Sequence, residues 1–219
     1  MKVLIYGDGA LAEQYLWQLE SDDRYEVVGF CVDESFYQES EFHNIHVFKF
    51  QELFTYFDMK DVYILVAIGY SKMNSVREKI FDQIEKSGYN LLTYISKSAI
   101  IGKHVIIGRG SFIGNYVVIS PSTIIGKGCI IYSSTCIGHY CHINDFCYLS
   151  ICVALGGHVT INKNCFLGMH VTVRDGLLID YNNVIGTATN VLKSTTAKGI
   201  YVGNPAVRLK DVDVDNIKI

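Results

Sequence analysis

A chain of 219 residues that is 49% hydrophobic and 19% charged can bury a core and is neither disordered nor of low complexity. With 19 Lys+Arg against 22 Asp+Glu and a net charge of -3, it offers no basic field to release counterions from a phosphate backbone, which argues against nucleic acid as a partner. No apolar run reaches the length of a membrane span and Met1-Lys2-Val3-Leu4-Ile5 meets Asp8 too soon for a signal-peptide core, so a cytoplasmic setting is expected; the mean hydropathy of +0.21 points to apolar surface hidden by self-association.

The first ninety or so residues alternate strand and helix patterns. Val3 to Tyr6 reads as an apolar strand, Ala10 to Leu19 as a helix with Leu11, Tyr15, Leu16 and Leu19 on one face, and Val27 to Val32 as a second strand. Val62 to Ile68 is an unbroken apolar run and so a buried strand, and Ser75 to Lys86 follows as a helix stopped at Gly88. Such alternation predicts a small, Rossmann-like parallel sheet in an α/β domain. Where the first strand feeds the helix stands Gly7-Asp8-Gly9-Ala10-Leu11-Ala12, a G-x-G-x-x-A turn, and Asp33 ends the second strand. Glycine there lets the backbone approach a phosphate and the helix N-terminus offers N–H groups to an anion, although a tight structural turn would use the same residues. The domain is about half the size of a dinucleotide fold, which argues against hydride chemistry.

From Ile95 the period changes. Every sixth residue as far as Val191 is aliphatic, and four residues after most of them comes a small or β-branched side chain, as at Val117, Thr123, Cys129, Thr135, Cys141, Cys147 and Cys165. Four of the seven cysteines fall on this one repeat position, where they fill a tight interior, and no C-x-x-C cluster supports a metal. A period of six fits neither a helix nor a hairpin meander. It fits a coil of short flat strands, three hexads to a turn, in which residues eighteen apart stack at about 4.8 Å. Glycine recurs directly after the aliphatic residue, as at Gly102, Gly108, Gly126 and Gly138, which suggests unusual backbone angles there. In this register His139 stands at a corner, two residues beyond the inward Ile137, with Gly157 stacked above it; Met169 and Thr187 form a second column.

The repeat resembles the hexapeptide-repeat acyltransferases, whose repeats build a left-handed parallel β-helix and whose members are typically trimers. With a βαβ front ahead of it, nearly the whole chain resembles the nucleotide-sugar N-acetyltransferases acting on 4-amino-4,6-dideoxyhexoses, a group that includes the sialic-acid O-acetyltransferase-like proteins. The resemblance implies a nucleotide-sugar-binding βαβ domain at 1–92, a left-handed β-helix acyltransferase domain at 93–200 and a tail at 201–219. It implies that Gly7, Asp8, Gly9 and Ala10 lie near the phosphates, that Asp33 and Glu34 lie near the base, and that Ile68, Gly69 and Tyr70 close the end of the third strand. Acetyl-CoA is the implied acyl donor, with Gly157, Met169 and Thr187 along its arm and Gly203 and Pro205 in a closing turn that helps to cover it. The implied catalytic set is His139 as base after the Ser133-Ser134 run, Gly157 as oxyanion donor, and Tyr140 where relatives carry Glu or Asp. A phenol can hydrogen-bond but is neutral near pH 7, so it cannot balance a charged ring as a carboxylate does.

The resulting expectation is an acetyl-CoA-dependent N-acetyltransferase, homotrimeric and metal-free. Its acceptor would be the 4-amino group of a dTDP- or UDP-linked 4-amino-4,6-dideoxyhexose in surface-polysaccharide (O-antigen) biosynthesis. A sugar O-acetyltransferase and a non-catalytic nucleotide-sugar-binding relative are the alternatives.

Overall fold

The computed structural model describes residues 1–210 and Val214. The chain forms two compact units, one of Met1–Gly69 with Lys79–Leu92, the other of Tyr70–Glu78 with the chain from Thr93 onward.

The first unit follows the βα alternation. Its elements are β1 (Lys2–Tyr6), α1 (Ala10–Glu20), β2 (Glu26–Val32), β3 (Glu41–Phe42), β4 (Ile45–Lys49), β5 (Val62–Val66), α2 (Ser75–Ser87), whose first residues belong to the second unit, and β6 (Asn90–Leu91). The strands lie in the order β3-β4-β2-β1-β5-β6, parallel throughout except for the β3/β4 pair. Val3, Leu4, Ile5, Ile64 and Leu65 are fully or almost fully buried in β1 and β5, both interior strands, which is why those strands read as unbroken apolar runs. α2 stops where Gly88 takes a left-handed φ of +84°. Two features depart from the sequence reading. β5 ends at Val66 and not at Ile68, since after Ala67 N–H donates to Tyr6 carbonyl at 2.9 Å the chain leaves the sheet. β3 and β4 went unpredicted because β4 is a near-edge strand whose His46 and Lys49 interrupt the apolar pattern.

The second unit is a parallel β-helix of two-residue strands on three faces. The first face runs from Tyr94–Ile95 through Phe112–Ile113, Ile130–Ile131, Tyr148–Leu149 and Phe166–Leu167 to Val184–Ile185. The second runs from Ile100–Ile101 to Asn190–Val191, and the third from Ile106–Ile107 to Leu178–Ile179. Register is offset by eighteen, as in Phe112↔Ile130, Ile137↔Leu155 and Ile143↔Ile161. The second residue of each pair points inward, and Ile113, Ile131, Leu149, Ile137 and Ile143 are among the buried ladder. The small residues of the repeat also serve the backbone, since buried Thr123 Oγ1 donates to Gly138 carbonyl at 2.9 Å and Cys141 Sγ to Gly156 carbonyl at 3.2 Å. These side chains satisfy carbonyls facing the core, and burial pushes the Cys129 and Cys147 thiols well above their ordinary pKa, so they are inert packing groups.

The corner angles do not fall where the glycines stand. The left-handed residue comes two positions later and is mostly not glycine: Tyr116 (φ 58°), Ser134 (61°), Tyr140 (53°), His158 (58°) and Asn164 (62°). The glycines answer a different need, the close approach of successive coils. A Cβ on Gly138 would lie 2.6 Å from the carbonyl carbon of Gly156, and one on Gly102 would lie 2.6 Å from the nitrogen of Pro121. The final coil is also two residues short. Val184 pairs with Ile200, so Tyr201 closes the core, and Ile200–Val202 turns back on Val207–Arg208.

Candidate active site

His139 is exposed on the corner between Cys136–Ile137 and His142–Ile143, and Gly157 stands on the same corner one coil further. The imidazole leans over that glycine: a Cβ at 157 would lie 2.7 Å from His139 Cε1 and 2.8 Å from Nε2. The bare α-carbon is therefore the space the ring occupies. Gly157 carbonyl accepts from Gly176 N–H at 2.9 Å, whereas Gly157 N–H and both ring nitrogens of His139 have no hydrogen-bond partner among the described residues. An open imidazole beside a free main-chain donor can take a proton and steady a growing oxyanion.

Tyr140 does not stand beside His139 as a hydrogen-bonding substitute for a carboxylate. Its ring stacks flat on His158, with centroids 5.2 Å apart and planes at 10°. His139 is perpendicular to both, 5.6 Å from Tyr140 at 85° and 5.0 Å from His158 at 87°. His158 was missed in the sequence, although it lies one coil after Tyr140 and the same arithmetic that paired His139 with Gly157 reaches it.

Met169 and Thr187 share a different edge of the prism, between the first and second faces, while His139 and Gly157 share the edge between the second and third. Ala188 N–H donates to Met169 carbonyl at 2.8 Å, and a Cβ on Gly168 would lie 2.8 Å from Thr187 nitrogen. With Tyr70, Tyr148 and Phe166 these two residues border a cleft of about 370 Å³ that mixes apolar and aromatic side chains with the hydroxyl-bearing Ser150 and Thr187, a surface suited to a slender, mostly apolar arm with a few polar groups. Tyr70, which the sequence reading grouped with the front sheet, packs edge-on against Tyr148 at 5.1 Å and Phe166 at 4.7 Å in this second unit. The closing turn is bonded next to Thr187: Gly203 N–H donates to Thr189 Oγ1 at 3.2 Å, Asn190 Nδ2 to Asn204 Oδ1 at 3.1 Å, and Pro205 is exposed beyond them. Within one chain, each pair is assembled, but the two pairs stand on separate edges.

In the first unit Gly7 leaves β1 with φ +117°, its N–H on Cys31 carbonyl at 2.8 Å. Gly9 caps α1 without a side-chain bond and a Cβ there would touch nothing, so the helix N-terminus is open, with Asp8 half-buried and Ala10 exposed beside it. Asp33 and Glu34 share a polar net the sequence did not reveal. Asp33 Oδ1 accepts from Gln51 Nε2 at 3.0 Å and Gln83 Nε2 at 2.6 Å, while Gln51 Oε1 accepts Glu34 N–H at 3.0 Å and Lys49 pairs with Glu34 at 3.1 Å. Burial, reinforced by the Asp33 carboxylate, holds the Tyr6 phenol protonated far beyond its ordinary range. Ile68 and Gly69 follow β5 at partial burial. Among the described residues no group of three or more His, Cys, Asp or Glu side chains could hold a metal, and no helix is long and apolar enough to cross a membrane.

Two families match the chain: the GMPPB C-terminal domain over residues 92–201 and the PglD N-terminal domain over residues 2–84. Among solved structures, a mutant of perosamine N-acetyltransferase from Caulobacter crescentus, in complex with CoA and GDP-perosamine, superimposes with a TM-score of 0.86 at 22% identity, over 96% of this chain and 98% of that one. WeeI from Acinetobacter baumannii gives 0.83 at 21% identity, over 95% and 100%. The acetyltransferase domain of PglB from Neisseria gonorrhoeae, in complex with acetyl coenzyme A, gives 0.63 at 16% identity, over 95% and 98%. At these identities the likeness speaks for the fold, an α/β front followed by a β-helix.

Proposed function

We propose that the chain, which belongs to the GMPPB C-terminal domain family and carries a PglD N-terminal domain, is a hexapeptide-repeat acyltransferase that moves an acetyl group from acetyl-CoA to the 4-amino group of a nucleotide-linked 4-amino-4,6-dideoxyhexose. The observation that carries this is the open His139 imidazole lying over Gly157, whose N–H is free. Acetyl-CoA supplies the acyl group as an activated thioester. His139 takes the proton that the amine loses as its nitrogen bonds to the acyl carbon, Gly157 N–H donates to the acyl oxygen as negative charge gathers on it, and when the carbon–sulfur bond breaks the proton on His139 passes to the departing CoA sulfur. Met169 and Thr187 line the cleft suited to the pantetheine arm, and Gly203 and Pro205 belong to the turn that Gly203 N–H ties to Thr189 Oγ1, two residues beyond Thr187. In the first unit the open α1 N-terminus with Gly7, Asp8, Gly9 and Ala10 suits the phosphates, and the Asp33–Glu34 net suits the base.

The homotrimer is part of this proposal. The base and the arm cleft stand on separate edges of one prism, and a neighbouring copy can bring the missing edge alongside. The sequence pointed to dTDP or UDP as the nucleotide; the Caulobacter crescentus enzyme's complex holds GDP-perosamine, so GDP joins them. The test is thiol release from acetyl-CoA with dTDP-, UDP- and GDP-linked 4-amino sugars, with the matching 4-hydroxy sugars as controls. Release that requires the amine is the expected result. Release with the 4-hydroxy sugars alone would make the protein an O-acetyltransferase, and no release with any of them would leave it a binding protein.

A further inference from the structure

We propose that His158 and Tyr140 act together as positioning residues for His139, a stacked pair of rings standing in for an orienting carboxylate. This rests on His139 being the base. Its ring nitrogens have no partner among the described residues, so no hydrogen bond fixes which way the imidazole faces. The stacked pair does fix it: both rings meet His139 perpendicularly, at 5.6 Å and 5.0 Å, and lie parallel to each other at 10°. Perpendicular contact sets the electron-poor edge of one ring against the electron-rich face of another.

The backbone holds the cluster in register. His158 N–H donates to the carbonyl of His139 itself at 2.8 Å, and Tyr140 N–H to Pro121 carbonyl at 3.1 Å, so neither ring's anchor can drift from the base without breaking the coil. Gly157, between Gly156 and His158, leaves the imidazole nothing to collide with. The phenol ring of Tyr140 and the imidazole of His158 hold His139 by ring contact alone, with no hydrogen bond to either of its nitrogens among the described residues. Both ring nitrogens thus stay available to the acceptor amine and to solvent. The other charged side chains and histidines that the register sets on this corner are Lys103, His104, Arg174, Asp175 and Lys193, and none hydrogen-bonds either histidine ring among the described residues.

The experiment uses His158→Ala and His158→Phe with two independent readouts. The first is the tautomer of the His139 imidazole, followed by long-range proton–nitrogen NMR on the protein alone; the second is kcat and KM for acetyl transfer. In His158→Ala the His139 tautomers should average, while kcat drops roughly tenfold at unchanged KM, the scale of one lost edge-to-face ring contact. His158→Phe keeps a flat ring against Tyr140 and should recover most of both losses. Wild-type His139 resonances and kcat in His158→Ala would overturn the proposal. So would a His158→Phe as inactive as His139→Ala, since His158 would then carry the proton itself. The NMR arm needs no turnover, so a protein that acetylates no sugar would sink the proposed function and still report on the positioning.

Discussion

His139 owes the space its ring occupies to a residue that contributes no side chain. Gly157 lacks a left-handed φ, so its backbone would accept alanine, yet the added methyl would lie 2.7 Å from the imidazole and push the ring off the edge. Gly157→Ala should therefore separate activity from stability. We expect kcat to fall about 10–100-fold, approaching the roughly 10²–10⁴-fold loss of His139→Ala that removal of a general base brings. The melting temperature should change little, because the corner is exposed and the methyl meets a ring that can swing into solvent. A Gly157→Ala enzyme with full kcat, or one that loses its cooperative melt, would show that the ring's place over the glycine is not what catalysis uses. This pair was legible in the sequence because eighteen-residue stacking is arithmetic. His158 lay within reach of the same arithmetic, but how three rings turn toward one another depends on dihedral angles that the repeat does not carry. Gln51 and Gln83 were out of reach altogether, since they meet at Asp33 from distant parts of the chain with no periodicity to announce them.

At the scale of the element, the period of six revealed the coil but not the reason for its glycines. A hexad repeat records which side chains face inward, and that depends only on strand alternation; it is silent on how closely one coil lies on the next. The two kinds of corner position make opposite predictions. At Gly102 a methyl would strike Pro121 nitrogen at 2.6 Å, so Gly102→Ala should cost about 1–3 kcal/mol, the usual range for overpacking. At Tyr116, exposed and held at φ 58°, Tyr116→Gly relieves a left-handed strain of about 1 kcal/mol and should leave the protein no less stable. Urea denaturation of both variants checks this, and a Gly102→Ala as stable as wild type would mean that the coils can part where they lie closest. The shortened last coil and the β3–β4 pair escaped the sequence for related reasons. One is a two-residue deletion from a pattern whose aliphatic beat had already ended at Val191, and the other is a strand buried too little to alternate cleanly.

On the scale of the whole molecule, the faces of the β-helix are covered unequally. The outward side chains on the first face, including Phe112, Ile130, Tyr148 and Phe166, are buried, but Ile100 on the second face and Ile106, Ile124 and Leu178 on the third stand exposed, flanking the edge that carries His139. That apolar surface is where a neighbour of the same kind would pack. If the neighbour brings its Met169–Thr187 edge to this His139, two inactive chains can repair each other. One would be His139→Ala, which lacks the base, and the other Gly168→Arg, whose side chain, built where a Cβ already lies 2.8 Å from Thr187 nitrogen, fills the arm cleft. Unfolded together in equal amounts and refolded, they should form mixed trimers in which about a quarter of the sites pair an intact base with an intact cleft, and acetyl transfer should return to about that fraction of wild type. Refolded separately, each should stay inactive. Recovery well above the background of the separate chains requires a site shared between copies, whereas none, from mixtures shown by mass to be trimeric, would mean that base and cleft serve within one chain or not at all.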